Sequence, residues 1–230
     1  LRKKLNMGVG VLRPHSRSPP KIGAVPAHRP SSAPHEVRII GGRWKRSKLP
    51  VPDRPGLRPT PDRVRETLFN WLGQDLSGWR CLDAFAGSGA LGLEAASRGA
   101  TRVLMLERDA ALARGLRETA QRLQAGAVEV EVADALAWMQ RHGRPEWDLI
   151  LLDPPFEADL FAPALAAARP LLAPDGLIYL EANRAWLQAD AAQAGLSLWR
   201  QGRAGAVHFQ LLRAADTPTL GASADRETTT

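Results

Sequence analysis

Residues 81–92, CLDAFAGSGALG, constrain the fold more than any other stretch of the chain. An apolar run over residues 81–85 is interrupted only by Asp83, and it leads into a G-x-G-x-x-G spacing made by Gly87, Gly89 and Gly92. Glycine lets the backbone turn sharply and come close to a ligand, because it carries no Cβ. A helix predicted over residues 90–98 directs its N-terminal NH groups at that ligand. The stretch therefore predicts a buried strand, a tight turn and a helix beside a nucleoside-containing cofactor.

Acidic residues stand at the ends of four predicted strands, and they are Asp83, Glu107, Asp134 and Asp153. Ligands of parallel sheets bind beyond the carboxyl ends of the strands, so these acids predict one site at one edge. Glu107 lies where a carboxylate can bind the two hydroxyls of a ribose. Asp83 favours a ligand with a cationic ammonium or sulfonium, because opposite charges attract in a partly desolvated site. Asp134 has two possible roles, as an acceptor for an adenine amino group or as the N-cap of the next helix.

Strands alternate with helices over most of the chain, and this alternation predicts an α/β fold. The predicted helices cover residues 61–72, 90–98, 109–123, 134–142, 160–172 and 184–194. Thr60 is the expected N-cap of the first helix, with Pro61 at its first position. Two last strands, residues 196–200 and 207–212, are joined by a glycine-containing turn and are therefore antiparallel neighbours. We expect a mainly parallel sheet with helices on both faces and one antiparallel strand.

Basic residues are concentrated in the first quarter of the chain. Residues 1–65 contain 16 Lys and Arg but three acidic residues, although the whole chain carries a net charge of +7. This asymmetry predicts a polyanionic partner, most simply nucleic acid. We expect a disordered basic tail over residues 1–35, a basic β-hairpin and loop over 36–60, a catalytic domain over 61–213 and a disordered tail over 214–230. The candidate nucleic-acid contacts are Arg38, Arg43, Trp44, Lys45, Arg46, Lys48, Arg58 and Arg63.

Several of these contacts have a second possible role. Trp44 can stack on a base or pack against the domain. Arg58 and Arg63 lie near the start of the first helix, where a purely structural role is equally open.

Composition excludes several classes of protein. The single cysteine, Cys81, excludes an internal disulfide framework and a cysteine-rich zinc site, and we expect it to be a small core residue. No apolar run approaches the ~20 residues of a membrane span. The basic N-terminus lacks the apolar segment of a signal peptide. We therefore expect a cytoplasmic protein that needs no metal, contacts no membrane and is a monomer.

These motifs resemble, in order and spacing, the class I S-adenosylmethionine-dependent methyltransferases. More narrowly, the chain resembles the bacterial 16S ribosomal RNA guanine-N2 methyltransferases of the RsmD type. The resemblance covers about residues 36–213, and its motifs lie at residues 38–44, 57–66, 83–94 and 153–156. The stretch RPTPDRVRE beside the basic hairpin points to this family more specifically than the tetrapeptide Asp153-Pro154-Pro155-Phe156, which many amino-group methylases share.

The resemblance implies a Rossmann-like class I fold with a seven-stranded sheet and S-adenosyl-L-methionine as the cofactor. The residues it assigns to the cofactor are Asp83, Phe85, Gly87, Gly89, Glu107 and Asp134. Asp83 would face the methionine end, Glu107 the ribose and Asp134 the adenine. The residues it assigns to the target base and the reaction are Asp153, Pro154 and Phe156. The implied substrate is 16S ribosomal RNA, within a partly assembled 30S subunit.

Three other functions compete with this interpretation. A DNA or RNA adenine-N6 methyltransferase can carry the same tetrapeptide, although such enzymes usually have a separate target-recognition region. A nicotinamide-dependent oxidoreductase is disfavoured by Asp83 and by the Asp153 motif. A non-catalytic RNA-binding module is disfavoured because Asp83, Glu107 and Asp153 are all present.

Overall fold

A computed structural model of the chain describes residues 36–52, 54, 59–156 and 159–215. The predictions for Arg58, for residues 1–35 and for residues 216–230 fall outside this described part. Its first elements are strand β1 (Glu36–Arg38) and strand β2 (Lys48–Pro50), which pair antiparallel. The predicted basic hairpin is therefore confirmed. Alternate hairpin residues point inward, because successive side chains of a strand face opposite sides, and Val37 and Leu49 are buried.

Helix α1 (Asp62–Trp71) follows the hairpin, but Thr60 does not cap it. Pro61 occupies the N-cap position with φ −57° and ψ 146°, and no side chain caps the helix. Thr60 is buried instead, and its carbonyl oxygen accepts a hydrogen bond from Arg65 Nε at 3.2 Å. The prediction of a Thr60 cap was wrong because this side chain has partners across the fold rather than in the first turn of α1.

Seven further strands form the central sheet, and they are β3 (Arg80–Asp83), β4 (Arg102–Glu107), β5 (Val128–Val132), β6 (Trp147–Leu152), β7 (Leu172–Ala182), β8 (Leu196–Ala204) and β9 (Val207–Ala214). Their spatial order is β5-β4-β3-β6-β7-β9-β8. The strands from β5 to β7 pair in parallel, and β9 is antiparallel to both of its neighbours. The predicted sheet with one antiparallel strand is confirmed.

Five more helices cover the sheet, and they are α2 (Ala90–Ser97), α3 (Ala110–Arg122), α4 (Ala135–Arg141), α5 (Phe161–Ala168) and α6 (Gln188–Gln193). The last two are shorter than predicted. After α5 the chain forms a short 3-10 helix, Arg169–Leu171, since Pro170 has no NH to continue the α-helix. The segment before α6 carries Arg184 and Trp186, whose side chains stack with the guanidinium 4.9 Å from the ring centre.

Two apolar layers sandwich the sheet, because strands buried on both faces are apolar almost throughout. One layer contains Cys81, Met105 and Leu151 with α1, α2 and the inward residues of the hairpin. The other contains Leu82, Ile150 and Leu180 with α4 and α5. The hairpin therefore shares a core with the face of the sheet on which α1 and α2 pack. In the described part of the chain, no helix is long and apolar enough to cross a membrane.

Candidate active site

Three of the four predicted acids meet at the carboxyl edge of the sheet. Asp83 ends β3 and Glu107 ends β4, and Asp153 directly follows β6. The strands are adjacent, with Asp83 opposite Met105 on one side and Leu151 on the other. Asp134 lies further out, two residues after β5. The topology thus brings the strand-end acids to one edge, as the sequence predicts.

Asp83 holds the glycine turn against the sheet. It is 2% exposed, and its Oδ2 accepts a hydrogen bond from the Gly92 NH at 2.9 Å. A Cβ at position 92 would lie 2.9 Å from this oxygen and 2.8 Å from Met105 Sδ, so only glycine allows α2 to approach so closely. Burial raises the pKa of Asp83 to about 7, although the Gly92 NH opposes this shift. A carboxyl group so deeply buried favours a cationic ligand.

Glu107 fixes the other side of the turn. Its Oε2 accepts from the Gly87 NH at 2.9 Å and its Oε1 accepts from the Asp109 NH at 2.8 Å. Gly87 and Gly89 have φ values of 51° and 76°, a left-handed region that favours glycine. Phe85 lies in the same loop and packs against the apolar layer that contains α4. The structure therefore brings together the predicted cofactor group of Asp83, Phe85, Gly87, Gly89 and Glu107.

Asp134 is the exposed N-cap of α4. Its Oδ1 accepts from the Ala137 NH at 2.9 Å. Of its two possible roles, the structure shows the N-cap. The cap uses only one of the two carboxylate oxygens, so a contact between the other oxygen and adenine stays a prediction.

The tetrapeptide after β6 lies beside these acids. Pro154 is buried, and the Phe156 ring lies 6.1 Å from the Phe161 ring of α5 at an angle of 49°. Burial of the Asp153 carboxyl group, together with the charges of Glu181 and Asp83, raises its pKa well above the ordinary value. A carboxyl group with a raised pKa is a stronger base once it is ionised.

Glu181 is a residue of this site that the sequence analysis missed. It is 3% exposed near the end of β7, and its Oε1 accepts from the Tyr179 OH at 3.0 Å. Burial raises its pKa to about 7, although hydrogen bonds with Thr60 and Tyr179 lower it. The signal was present in the sequence, because Glu181 ends a predicted strand as Asp83 and Glu107 do.

A second missed feature is the buried ion cluster centred on Glu94 of α2. Its carboxylate accepts from the NH groups of Ile40 and Gly41 at 2.7 and 2.8 Å. It also accepts from Arg98 Nε at 2.9 Å and from Arg65 Nη1 at 3.3 Å. These bonds join the hairpin, α1 and α2. The signal in the sequence was a glutamate within the otherwise apolar run ALGLEAA.

Comparison with known proteins identifies the family. A family model described as conserved hypothetical protein 95 matches residues 37–213. Ribosomal RNA small subunit methyltransferase D of Escherichia coli (strain K12) is 43% identical over 178 residues, which cover 76% of this chain and 89% of that protein. The chain belongs to this methyltransferase D family. The Haemophilus influenzae protein of the same name is 44% identical over 158 residues, which cover 66% of this chain and 82% of that protein.

Solved structures agree with this membership of the methyltransferase D family. The Escherichia coli protein yhhF has a TM-score of 0.68 at 39% identity, covering 78% of this chain and 99% of that one. The Haemophilus influenzae protein HI0767 has a TM-score of 0.64 at 35% identity, covering 77% of this chain and 97% of that one. The resemblance inferred from the motifs and the Rossmann-like class I fold are both confirmed.

The predicted nucleic-acid contacts of this family member lie mainly on the outer side of the hairpin. The exposed cations are Arg38, Arg43, Lys45, Arg46, Lys48 and, on α1, Arg63. Lys48 pairs with Glu36 at 2.9 Å. Trp44 is half-buried and packs against the core. Of its two possible roles, packing and base stacking, the structure shows the packing. The remaining cations stay predicted phosphate contacts.

The edge of the sheet fits a cationic cofactor. The charge of Glu181 raises the pKa values of Asp83 and Asp153, and the charge of Asp83 raises the pKa of Asp153 further. A bound ammonium or sulfonium would offset this repulsion, and the NH groups of the glycine turn face the same edge. Among the residues that the structure describes, no group of three or more His, Cys, Asp or Glu is arranged to hold a metal ion.

Proposed function

We propose that this chain methylates the exocyclic N2 amine of a guanine in small-subunit ribosomal RNA, with S-adenosyl-L-methionine as the methyl donor. The observation that carries the proposal is the Asp153-Pro154 pair beside the buried carboxylates of Asp83 and Glu181. Family membership supports the substrate class, since the Escherichia coli and Haemophilus influenzae relatives are named as ribosomal RNA small subunit methyltransferases.

The cofactor would be held by the residues around the glycine turn. Asp83 would attract its ammonium or sulfonium, the loop from Phe85 to Gly89 would cover it, and Glu107 would bind its ribose. Asp134 has a second carboxylate oxygen that could accept from the adenine amino group. When bound, the cofactor supplies a methyl group activated by the positive charge on sulfur.

The protein residues would prepare the guanine amine. An exocyclic base amine is a poor nucleophile, because its lone pair is delocalised into the ring. The Asp153 carboxylate and the Pro154 carbonyl can each accept one NH of the amine, which turns the lone pair toward the methyl group. Proline has no NH, so position 154 offers only an acceptor at a fixed φ. Such positioning can lower a barrier by ~7–11 kcal/mol.

Two further tasks fall to residues that follow β6. Phe156 would stack on the flipped-out base, because an aromatic ring offers a flat apolar surface. The amine nitrogen must lose a proton after it accepts the methyl group. Asp153 is the proposed acceptor, since its raised pKa makes its carboxylate a stronger base. The proton then passes to water.

The basic hairpin would bind the phosphates of the RNA. Its cations are exposed on the side away from the core, where a polyanion can reach them. The proposed partner is 16S ribosomal RNA in a partly assembled 30S subunit, which would place the monomeric enzyme in the cytoplasm. Arg58, outside the described residues, remains a further proposed contact.

Methyl transfer to RNA tests this proposal. Labelled S-adenosylmethionine is incubated with the full chain and with either naked ribosomal RNA or 30S particles from cells that lack the endogenous enzyme. Label recovered as N2-methylguanosine would support the reaction and the substrate class together. Label recovered as N6-methyladenine, or transfer only to DNA, would contradict the guanine assignment and favour the adenine-N6 alternative.

A further inference from the structure

Glu181 is a buried carboxyl group to which the proposed reaction assigns no task. It lies near the end of β7 and is 3% exposed, so water hardly compensates its charge. A charge in such a place is costly unless other groups of the protein stabilise it. The surroundings of Glu181 show both what stabilises its charge and what that charge acts on.

The strand register places Glu181 beside Asp153. Leu180 of β7 is opposite Leu152 of β6, and Glu181 and Asp153 are the residues that follow. Neighbouring strands lie ~4.8 Å apart, and a like charge at such a distance disfavours ionisation. Burial and, next to it, the charge of Glu181 raise the pKa of Asp153 well above the ordinary value. The charge of Glu181 therefore acts on the group that is the proposed proton acceptor.

Three polar groups favour the ionised form of Glu181. The Tyr179 OH donates to its Oε1 at 3.0 Å, Thr60 forms a second hydrogen bond with its side chain, and the positive charge of Arg65 attracts it. Burial opposes these groups and has the larger effect, so the pKa of Glu181 is raised to about 7. Burial and the charges of Glu181 and Asp153 raise the pKa of Tyr179, so its OH keeps its proton and remains a donor. Glu181 thus ionises around neutral pH.

The elements around Glu181 bring one further carboxyl group near it. This group is Asp83 at the end of β3, whose pKa the charge of Glu181 also raises. On β9 the residue opposite Glu181 is Phe209, which has no charge. Arg65 donates to the carbonyl oxygens of Thr60 at 3.2 Å and Arg38 at 2.9 Å. One buried arginine therefore holds together the hairpin, the start of α1 and the partner of Glu181.

The two neighbouring acids differ in how far solvent reaches them. Asp153 is half-buried, whereas Glu181 is almost completely enclosed. A substrate at the edge of the sheet can therefore contact Asp153 but not Glu181. Any effect of Glu181 on the reaction must pass through its neighbour.

We propose that Glu181 is a positioning residue whose buried carboxylate makes Asp153 a stronger proton acceptor for the target amine. This inference rests on the proposed function, because Asp153 must first be the group that meets the amine. After nitrogen accepts the methyl group, its N–H bond breaks and the electron pair of that bond stays on nitrogen. The proton forms an O–H bond with Asp153 and then passes to water. Glu181 neither gains nor loses a proton in this step.

Glu181→Gln tests the inference, since it removes the charge and keeps the size of the side chain. The rate of methyl transfer in a single turnover is measured between pH 5 and 10, with the full-length chain and saturating ribosomal RNA and S-adenosylmethionine. The rate should rise with pH as Asp153 ionises. In Glu181→Gln the midpoint of this rise should lie about 1–3 pH units lower, because a like charge beside Asp153 is absent. Above the midpoint the variant should be roughly 3- to 30-fold slower, since Asp153 is then a weaker base.

Three other variants separate the effect of charge from that of packing. Glu181→Met also removes the charge at similar length and should lower the midpoint as Glu181→Gln does. Glu181→Asp keeps the charge, so its midpoint should stay within about 0.5 pH unit of the unaltered protein. Glu118→Gln is the matched control, because Glu118 is exposed on α3 and its loss should change neither the midpoint nor the rate.

The pH midpoint decides between the charge of Glu181 and a merely structural role. A structural role predicts a fall in rate at every pH with an unmoved midpoint. In an active unaltered protein, a midpoint shift below about 0.3 pH unit in both Glu181→Gln and Glu181→Met would overturn this inference alone. An unaltered protein that transfers no methyl group to RNA at any pH would overturn the proposed function, and this inference with it.

Discussion

Replacing Glu94 with alanine should release the hairpin from α2, the helix that follows the glycine turn. Glu94 is fully buried and accepts four hydrogen bonds, two from hairpin NH groups and two from the guanidinium groups of Arg65 and Arg98. The hairpin lies so close to α2 that a Cβ at Gly42 would collide with the Ser97 carbonyl oxygen. The Arg43 NH donates to this same oxygen at 2.7 Å.

The expected cost follows from the burial of the ion cluster. Removing Glu94 leaves two buried guanidinium groups without their shared anion, and breaking a buried ion pair in this way costs about 3–5 kcal/mol. This loss is a large share of the roughly 5–15 kcal/mol by which a typical domain is stable. At about 2–4 °C per kcal/mol for a chain of this size, the melting temperature should fall by roughly 6–20 °C. Glu94→Gln keeps one acceptor and should cost less, about 1–3 kcal/mol.

Urea unfolding and amide hydrogen exchange would measure the two parts of this effect. The NH groups of Ile40 and Gly41 should exchange faster in Glu94→Ala by more than the global loss of stability explains. Glu118→Ala is the matched control, because Glu118 is exposed on α3 and its loss should change stability by at most about 0.5 kcal/mol. A loss below about 1 kcal/mol in Glu94→Ala, with unchanged exchange at the hairpin, would refute the role of the cluster.

Three further predictions concern the acids and the hairpin. The pKa of Glu181 rises from 4.5 to about 7 on folding. Its contribution to stability is therefore fully present below pH 4.5 and is lost as the pH rises through 7. The loss is up to about 3 kcal/mol. Glu181→Gln should remove this fall in urea titrations between pH 5 and 8, and an unchanged pH profile would contradict the assignment. Asp83→Asn keeps an acceptor for Gly92 but removes the charge, so calorimetry should find the Kd for S-adenosylmethionine raised roughly 10- to 100-fold; an unchanged Kd would place the cofactor elsewhere. Replacing both Arg43 and Lys45 by glutamine should raise the KM for RNA and leave the cofactor affinity unchanged. The slope of log KM against log salt should fall by ~0.7–0.9 per lost phosphate contact. An unaltered slope would exclude the hairpin from RNA binding.

The sequence predicts those elements whose signals are local. Strand β4 is an apolar run that ends at Glu107, where the sequence predicts a strand-end acid, and β5 is the alternating run VEVEV. Asp109 caps α3 as its position before the helix indicates, and it accepts from the NH groups of Ala111 and Leu112. In these places the local structure is determined by a few residues that are neighbours in the chain.

The missed features depend on partners that are distant in the chain. Glu94 bonds the NH of Ile40, which lies 54 residues away, so a local pattern could not reveal why a glutamate is buried in α2. Thr60 resembles an N-cap by position, but its place beside Glu181 depends on how α1 packs on β7. Glu181 itself was predictable as a strand-end acid. Its link to Asp153 arises only when β6 and β7 pair.

The most direct test of the proposed active site is the activity of Asp153→Ala. Its methyl transfer and its affinity for S-adenosylmethionine are measured side by side. The substrate is the ribosomal RNA or 30S particle that the unaltered chain methylates. We expect N2-methylguanosine to form at least ~10³-fold more slowly, because one acceptor for the amine and its proton is lost. The Kd for the cofactor should stay within about three-fold, since Asp153 is proposed to contact the target amine and not the cofactor. Normal turnover, or loss of cofactor binding with turnover lost as a consequence, would contradict the role of Asp153 at the target amine.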